Sequence, residues 1–191
     1  SLVGSEMCIR DRNKALELSL FLTLPASAAL LIASEEIISA LFGYGSFDQE
    51  SAINSGKALY YFALGLPAFS LIKVFSSFFF ANHDTKIPFY ISLFSVLTNI
   101  VISISYFNEI GFIIIPIATT ISSWLNAIFL FAFLKNRDLF SFNNIFLVRF
   151  VKIIIASLLM AIFFNFLITY FKYELLFNQN IKSFYLILSV I

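Results

Sequence analysis

PFYISLFSVLTNIVISISYF, residues Pro88–Phe107, runs for twenty residues without a charge. A helix needs about 20 predominantly apolar residues to cross the hydrocarbon core of a bilayer. Four more runs of that kind lie on either side: Leu16–Phe42, Ala58–Phe80, Gly111–Leu134 and Leu147–Phe171. A sixth starts near Ser183 and stops at Ile191, too short to span. The expected fold class is all-α: a polytopic transmembrane helix bundle with five full spans and a truncated sixth. A chain ending inside a helix reads as a fragment.

Composition agrees. The 191 residues are 60% hydrophobic and 12% charged, with a mean hydropathy of +0.94. Soluble domains are about a quarter charged, so this chain cannot cover a soluble core and is an integral membrane protein. A net charge of +1 gives no pull toward nucleic acid. The single cysteine, Cys8, excludes a disulfide framework and a cysteine metal cluster. The 26 Phe residues are explained by AT-rich codons filling positions where the bilayer asks only for bulk.

Ser1–Arg12, SLVGSEMCIRDR, is polar and mixed in charge. No apolar run or cleavage site makes it a signal peptide. It reads as an adapter-derived translation, so residues 1–13 are set aside as a non-native prefix.

Basic residues orient membrane helices. One set of ends and loops holds Lys14, Lys86, Lys135, Arg137, Arg149 and Lys152, with Arg10 and Arg12 beside them. The other holds Lys57, Lys172 and Lys182 among Glu35, Glu36, Asp48, Glu50, Glu109 and Glu174. The N-terminal end and the loops at Asn82–Lys86 and Lys135–Asn144 are therefore expected in the cytoplasm, with the helices alternating from there.

Three spans carry polar stripes at helical spacing: Ser70, Lys73 and Ser77; Ser92, Ser95, Asn99 and Ser103; Thr119, Ser122, Ser123 and Asn126. Such faces turn toward protein or a wet cavity. They are either interhelical glue or the wall of a polar cavity, whose candidate residues are Lys73, Ser70, Ser77, Asn99 and Asn126. Lys73 is expected mid-span, between Leu71-Ile72 and Val74-Phe75 and too deep for easy snorkelling, where a charge costs about 2.5–3.5 kcal/mol. No acidic residue lies in the middle of another span, which leaves a missing part of the protein, a ligand anion, water or backbone carbonyls as its partner. The fifth span is nearly all apolar, as expected of a helix facing lipid or another apolar helix. Pro25, Pro67 and Pro116 fall inside spans, where proline removes a donor and kinks a helix.

Catalytic chemistry is missing from the pattern. His83 is the only histidine and reads as a solvated loop residue. Asp84 is placed to pair with Lys86 or to cap the helix beginning near Pro88. Glu35 and Glu36 are adjacent and point apart. No phosphate-binding loop, nucleophile elbow or zinc motif occurs. The expectation is a protein that is not an enzyme, with no metal and no cofactor.

Three segments together carry a resemblance. They are Leu41-Phe42-Gly43-Tyr44-Gly45-Ser46-Phe47 with upstream Leu24-Pro25-Ala26; Ala58 through Phe69, ALYYFALGLPAF, leading to Lys73-Val74; and Phe79 through Pro88, FFANHDTKIP. In order and spacing the chain resembles the MurJ/MviN family, the lipid II flippases of bacterial cell-wall synthesis within the MOP exporter superfamily. Ile87 departs from that family's usual Thr. The resemblance covers residues 14–135 well and the remainder loosely. It implies a partial C-terminal lobe of four helices over 14–135 and a C-terminal helix pair over 136–191, the second helix truncated.

The family has fourteen helices, and its essential cavity arginines and acidic residues lie in helices this chain lacks. Its last two helices form an apolar groove for a polyprenyl tail. That implies a tail groove here at Ile154, Leu158, Phe164 and Leu186. The implied partners are lipid II, or a related polyprenyl-linked substrate, and membrane lipid, in the bacterial inner membrane. No protein partner is implied. Two alternatives stay open: another exporter of the same superfamily, for polysaccharide-linked lipids or drugs, and a non-transporting membrane scaffold.

Overall fold

Gly111 divides the longest apolar run of the chain. The computed structural model describes residues 2–42, 49–137 and 144–177. Its elements are α1 (Leu2–Phe42), α2 (Gln49–Ala81), α3 (Lys86–Ile110), a 3-10 turn (Gly111–Ile113), α4 (Ile114–Asn136) and α5 (Asn144–Phe177). The stub Ser183–Ile191 with Leu186, Lys182, Asp48 and the stretch Gly43–Phe47 lie outside the described residues. α1 is helical from Leu2, so its helix includes residues set aside above as a prefix.

Among the described residues, four segments are long and apolar enough to cross a membrane: Asn13–Ser39, Glu50–Ala81, Lys86–Asn136 and Phe146–Tyr170. The third holds 51 residues. As one straight helix it would reach about 77 Å, against a core of about 30 Å. It folds back instead. Gly111 takes φ 73° at the end of α3, and its N–H donates to the Phe107 carbonyl. Such a positive φ is open to glycine at no steric cost. Across the turn, Ser95 Oγ donates to the Ser122 carbonyl at 2.7 Å and Asn99 Nδ2 donates to Thr119 Oγ1 at 3.0 Å. Rising numbers on α3 meet falling numbers on α4, so the two form an antiparallel hairpin. Gly111, expected to open the fourth span, terminates the third.

The other pairings extend the alternation. α1 runs antiparallel to α2, with Ser19 against Ser70 and Ser27 against Ala63. α2 runs parallel to α4, with Tyr61 against Thr120 and Phe75 against Phe131. α5 packs on α1 alone among the described helices. Glu17 meets Arg149 where the apolar length of each helix begins.

All five helices meet at one end. Leu16 and Leu20 of α1, Phe75, Phe78 and Phe79 of α2, Ile91 of α3, Leu130 and Leu134 of α4 and Phe146 of α5 form a single buried cluster. Lys14, Lys86, Lys135, Arg137, Arg149 and Lys152 belong to this end, while Glu35, Glu36, Glu50, Lys57 and Glu109 belong to the other. Phenylalanine serves as plain bulk in both settings. Phe79 is fully buried, whereas Phe89, Phe94, Phe163 and Phe166 are more than half exposed on the outer surface.

The prolines act differently from the expectation. Pro116 is the third residue of α4 and Pro88 the third of α3. In a first turn the N–H has no partner inside the helix, so neither proline breaks anything. The non-helical residue of α1 is Ala33, with φ −109° and ψ 19°, rather than Pro25. Pro67 lies well inside α2. Its missing N–H frees the Ala63 carbonyl, and Ser27 Oγ from α1 donates to that oxygen at 2.7 Å. Here a neighbouring helix satisfies the carbonyl that proline leaves bare.

Candidate functional site: polar faces of α2, α3 and α4

The three polar stripes meet different fates. On α3 and α4 they face each other. Asn99 Nδ2 donates to Thr119 Oγ1 at 3.0 Å and to Ser122 Oγ at 3.3 Å, while Ser103 Oγ donates to Asn99 Oδ1 at 3.3 Å. Ser95, Ser122, Ser123 and Asn126 are all buried. These side chains form a polar seam that ties the hairpin together. Asn126 lies on the most enclosed helix, and its buried Oδ1 has no hydrogen-bond partner among the described residues.

The α2 stripe is split. Ser70 is half-buried and hydrogen-bonded to Ser19 of α1. Lys73 and Ser77, one turn apart, are exposed. Ser77 Oγ donates to the carbonyl of Val74 at 2.7 Å. No carboxylate pairs with Lys73 among the described residues. Lys73 stands eight residues before the end of α2 at Ala81, about 12 Å along the axis. It is therefore midway between the centre of α2 and its basic end. The structure brings Asn99 into contact with the α4 stripe and leaves Lys73 and Ser77 on an open face of α2.

Close approach of α2 and α4 rests on Gly65. A Cβ there would lie 3.1 Å from Thr120 Oγ1 and 3.1 Å from Phe69 Cε2. Thr120 Oγ1 donates to the Tyr61 carbonyl at 2.7 Å, and Trp124 Nε1 donates to the Leu64 carbonyl at 3.1 Å. Sequence reasoning missed Ser19, Ser27, Thr120 and Trp124 as partners of α2. The signal for Ser27 was available only indirectly, in a proline four residues after Ala63.

The turn Asn82–Thr85 is tightly built. The His83 N–H donates to the Phe80 carbonyl and the Asp84 N–H to the Phe79 carbonyl, both at 3.0 Å. His83 takes φ 58°. This is a Schellman ending with histidine where glycine is usual. His83 is exposed, and no group of three metal-ligating side chains occurs among the described residues.

Asp84 Oδ1 accepts from the backbone N–H of Lys86 at 3.2 Å and of Ile87 at 3.4 Å, while Oδ2 pairs with Arg137 at 2.7 Å. It thus caps the start of α3, and its ion-pair partner is Arg137 rather than Lys86. Partial desolvation raises the Asp84 carboxyl. The bond from Ile87, the Arg137 guanidinium and the bond from Lys86 outweigh it and hold the carboxyl below its ordinary value.

On α5, the buried residues Phe146, Ile153, Ser157 and Ile168 form the stripe toward α1. Leu158 is exposed, and Ile154 and Phe164 are half-buried. Leu186, the fourth residue of the implied tail groove, lies outside the described residues.

Comparison with known proteins identifies the relatives of this arrangement. The family model described as lipid II flippase MurJ matches residues 7–185. The chain is 40% identical over 150 residues to a Rhizobium meliloti protein named "Probable lipid II flippase MurJ", covering 78% of this chain and 28% of that one. It is 31% identical over 168 residues to a protein of the same name from Rickettsia prowazekii, covering 88% of this chain and 33% of that one. A solved structure titled "Lipid II flippase MurJ, inward closed conformation" superposes with a TM-score of 0.72 at 28% identity, covering 82% of this chain and 32% of that one. The chain thus spans about a third or less of the length of these relatives. On the match over residues 7–185, this multi-pass membrane chain belongs to the lipid II flippase MurJ family.

Proposed function

We propose that this chain forms part of a transporter that flips lipid II, the lipid-linked peptidoglycan precursor, from the cytoplasmic to the periplasmic face of the bacterial inner membrane. Family membership is the observation that carries the reading. The segregation of Lys14, Lys86, Lys135, Arg137, Arg149 and Lys152 at one end supports a cytoplasmic basic end, and with it a cytoplasmic N-terminal end.

The physical problem is the headgroup. A pyrophosphate-linked sugar-peptide is too strongly solvated to enter hydrocarbon alone. A cavity with positive charge accepts the headgroup while the tail stays in lipid, and rocking of two halves changes which side is open. In this reading Lys73 and Ser77, on the open face of α2, contribute to the cavity wall. Ser70, Asn99 and Asn126 hold that wall in shape from within the helix packing. Ile154, Leu158 and Phe164 present the apolar α5 surface to the tail.

The test uses a complete reading frame carrying this segment, expressed in bacteria depleted of their own flippase, with lipid II on the outer face as the readout. Restored exposure is expected, and Lys73→Ala is expected to reduce it at unchanged protein level. No exposure from a well-inserted protein overturns the lipid II reading. Exposure untouched by Lys73→Ala makes that residue structural.

A further inference from the structure

The basic end carries a feature that the proposed function does not draw on. Between α1 and α5 lies an open cleft of about 510 Å³, lined by Lys14, Glu17, Leu18, Phe21, Arg149, Lys152 and Ile153. This volume falls within the range of small-molecule sites. Three cations and one carboxylate leave the lining with a charge of +2. Glu17 orients Arg149, whose Nη1 reaches Oε1 at 3.3 Å and Oε2 at 3.0 Å. Even so paired, Arg149 keeps half of its side chain exposed, and Lys14 and Lys152 are exposed as well.

The other wall is apolar. Leu18 is 62% and Phe21 56% exposed, and both stand at the start of a membrane-crossing segment, Asn13–Ser39. The cleft therefore sits where water gives way to hydrocarbon, with cations on one side and an open greasy wall on the other. A soluble anion would match the first feature and leave the second unused. A membrane phospholipid matches both, since its phosphate lies at that depth and its chains run inward from it.

We propose that the α1–α5 cleft binds an anionic membrane phospholipid, its phosphate held by Lys14, Arg149 and Lys152 and its acyl chains laid along Leu18 and Phe21. The lipid is a resident of the structure rather than the cargo. Because α5 packs on no other described helix than α1, such a lipid staples α5 to the bundle. This assignment needs the membrane setting and does not depend on transport.

Native mass spectrometry of the full-length protein carrying this segment tests it, with phosphatidylglycerol, phosphatidylcholine and inorganic phosphate titrated separately. Tighter binding of phosphatidylglycerol than phosphatidylcholine is expected. Lys14→Gln and Lys152→Gln should each weaken phosphatidylglycerol about fivefold, the effect of one basic residue near a membrane surface, and weaken zwitterionic phosphatidylcholine less. Glu17→Gln removes the only negative charge in the lining and should strengthen phosphatidylglycerol. That gain keeps the test decisive even if a lysine variant folds poorly. Equal lipid affinities across the variants overturn the proposal. Displacement of phosphatidylglycerol by inorganic phosphate also overturns it, making the cleft a free-anion site. Displacement by a polyprenyl pyrophosphate alone would assign the cleft to cargo instead.

Discussion

Arg137 Nη1 lies 2.7 Å from Asp84 Oδ2, which ties the end of α4 to the turn between α2 and α3. The same carboxylate accepts the first N–H groups of α3 through Oδ1. One side chain thus joins three helices at the basic end, and the Asp84 N–H donates to the carbonyl of the buried Phe79.

The acid response of this junction follows from the direction in which Asp84 is shifted. Its carboxyl is held below the ordinary value of 3.8. Its stabilisation is therefore complete above the unfolded carboxyl's value and fades as pH falls through the folded one. Asp84→Asn should melt at a lower temperature than the parent at pH 7. The gap should close as the pH drops below about 4. Thermal melts across that range check it, and a gap that persists in acid would show that the ion pair contributes nothing.

His83 occupies a left-handed backbone position at φ 58°, which costs an L-residue about 1–2 kcal/mol. Replacement by glycine removes that cost and adds back part of it as lost chain entropy. His83→Gly is expected to raise the melting temperature modestly and His83→Val to lower it. A stabilising valine would contradict the turn described here.

Ser27 and Pro67 should be energetically coupled. Ser27→Ala leaves the buried Ala63 carbonyl without a donor, at a cost of about 1–3 kcal/mol. In a Pro67→Ala background the restored N–H at position 67 serves that carbonyl, and the serine matters less. A double-mutant cycle on unfolding free energy measures the difference. Additive effects would mean that the hydroxyl is not what satisfies the carbonyl.

Two glycines on α2 should respond unequally to alanine. A Cβ at Gly56 would meet Glu35 Cα at 3.0 Å, a backbone atom that cannot swing away. At Gly65 the tight contacts are side-chain atoms of Phe69 and Thr120. Gly56→Ala is expected to cost about 1–3 kcal/mol by forcing α1 and α2 apart, with Gly65→Ala milder. The ranking is read from the two melting temperatures.

Asn99 should behave as a packing residue. Interhelical hydrogen bonds in membranes average about 0.6 kcal/mol, with a maximum near 1.7. Asn99→Leu is expected to lose stability in that range and to lower lipid II exposure by the full-length protein no further than folded protein is lost. A transport defect without lost stability would move Asn99 from the seam to the cavity.

The membrane class, the positions of the apolar helices and the sorting of charge to opposite ends are written in the sequence alone. Hydrocarbon offers the backbone no water, so any span must satisfy its own hydrogen bonds as a helix and be long and apolar enough to cross. Those demands act locally and leave a local record, as in Pro88–Phe107. A stripe at helical spacing, in contrast, marks a face without naming what covers it. The stripes of Asn99 and Lys73 look alike in sequence, yet one closes against Thr119 and Ser122 and the other closes only at Ser70, leaving Lys73 and Ser77 open. The Ser27 hydroxyl on the Ala63 carbonyl and the partnership of Arg137 with Asp84 were likewise decided by packing. Each depends on residues far apart in the chain that only the assembled bundle brings within hydrogen-bonding reach.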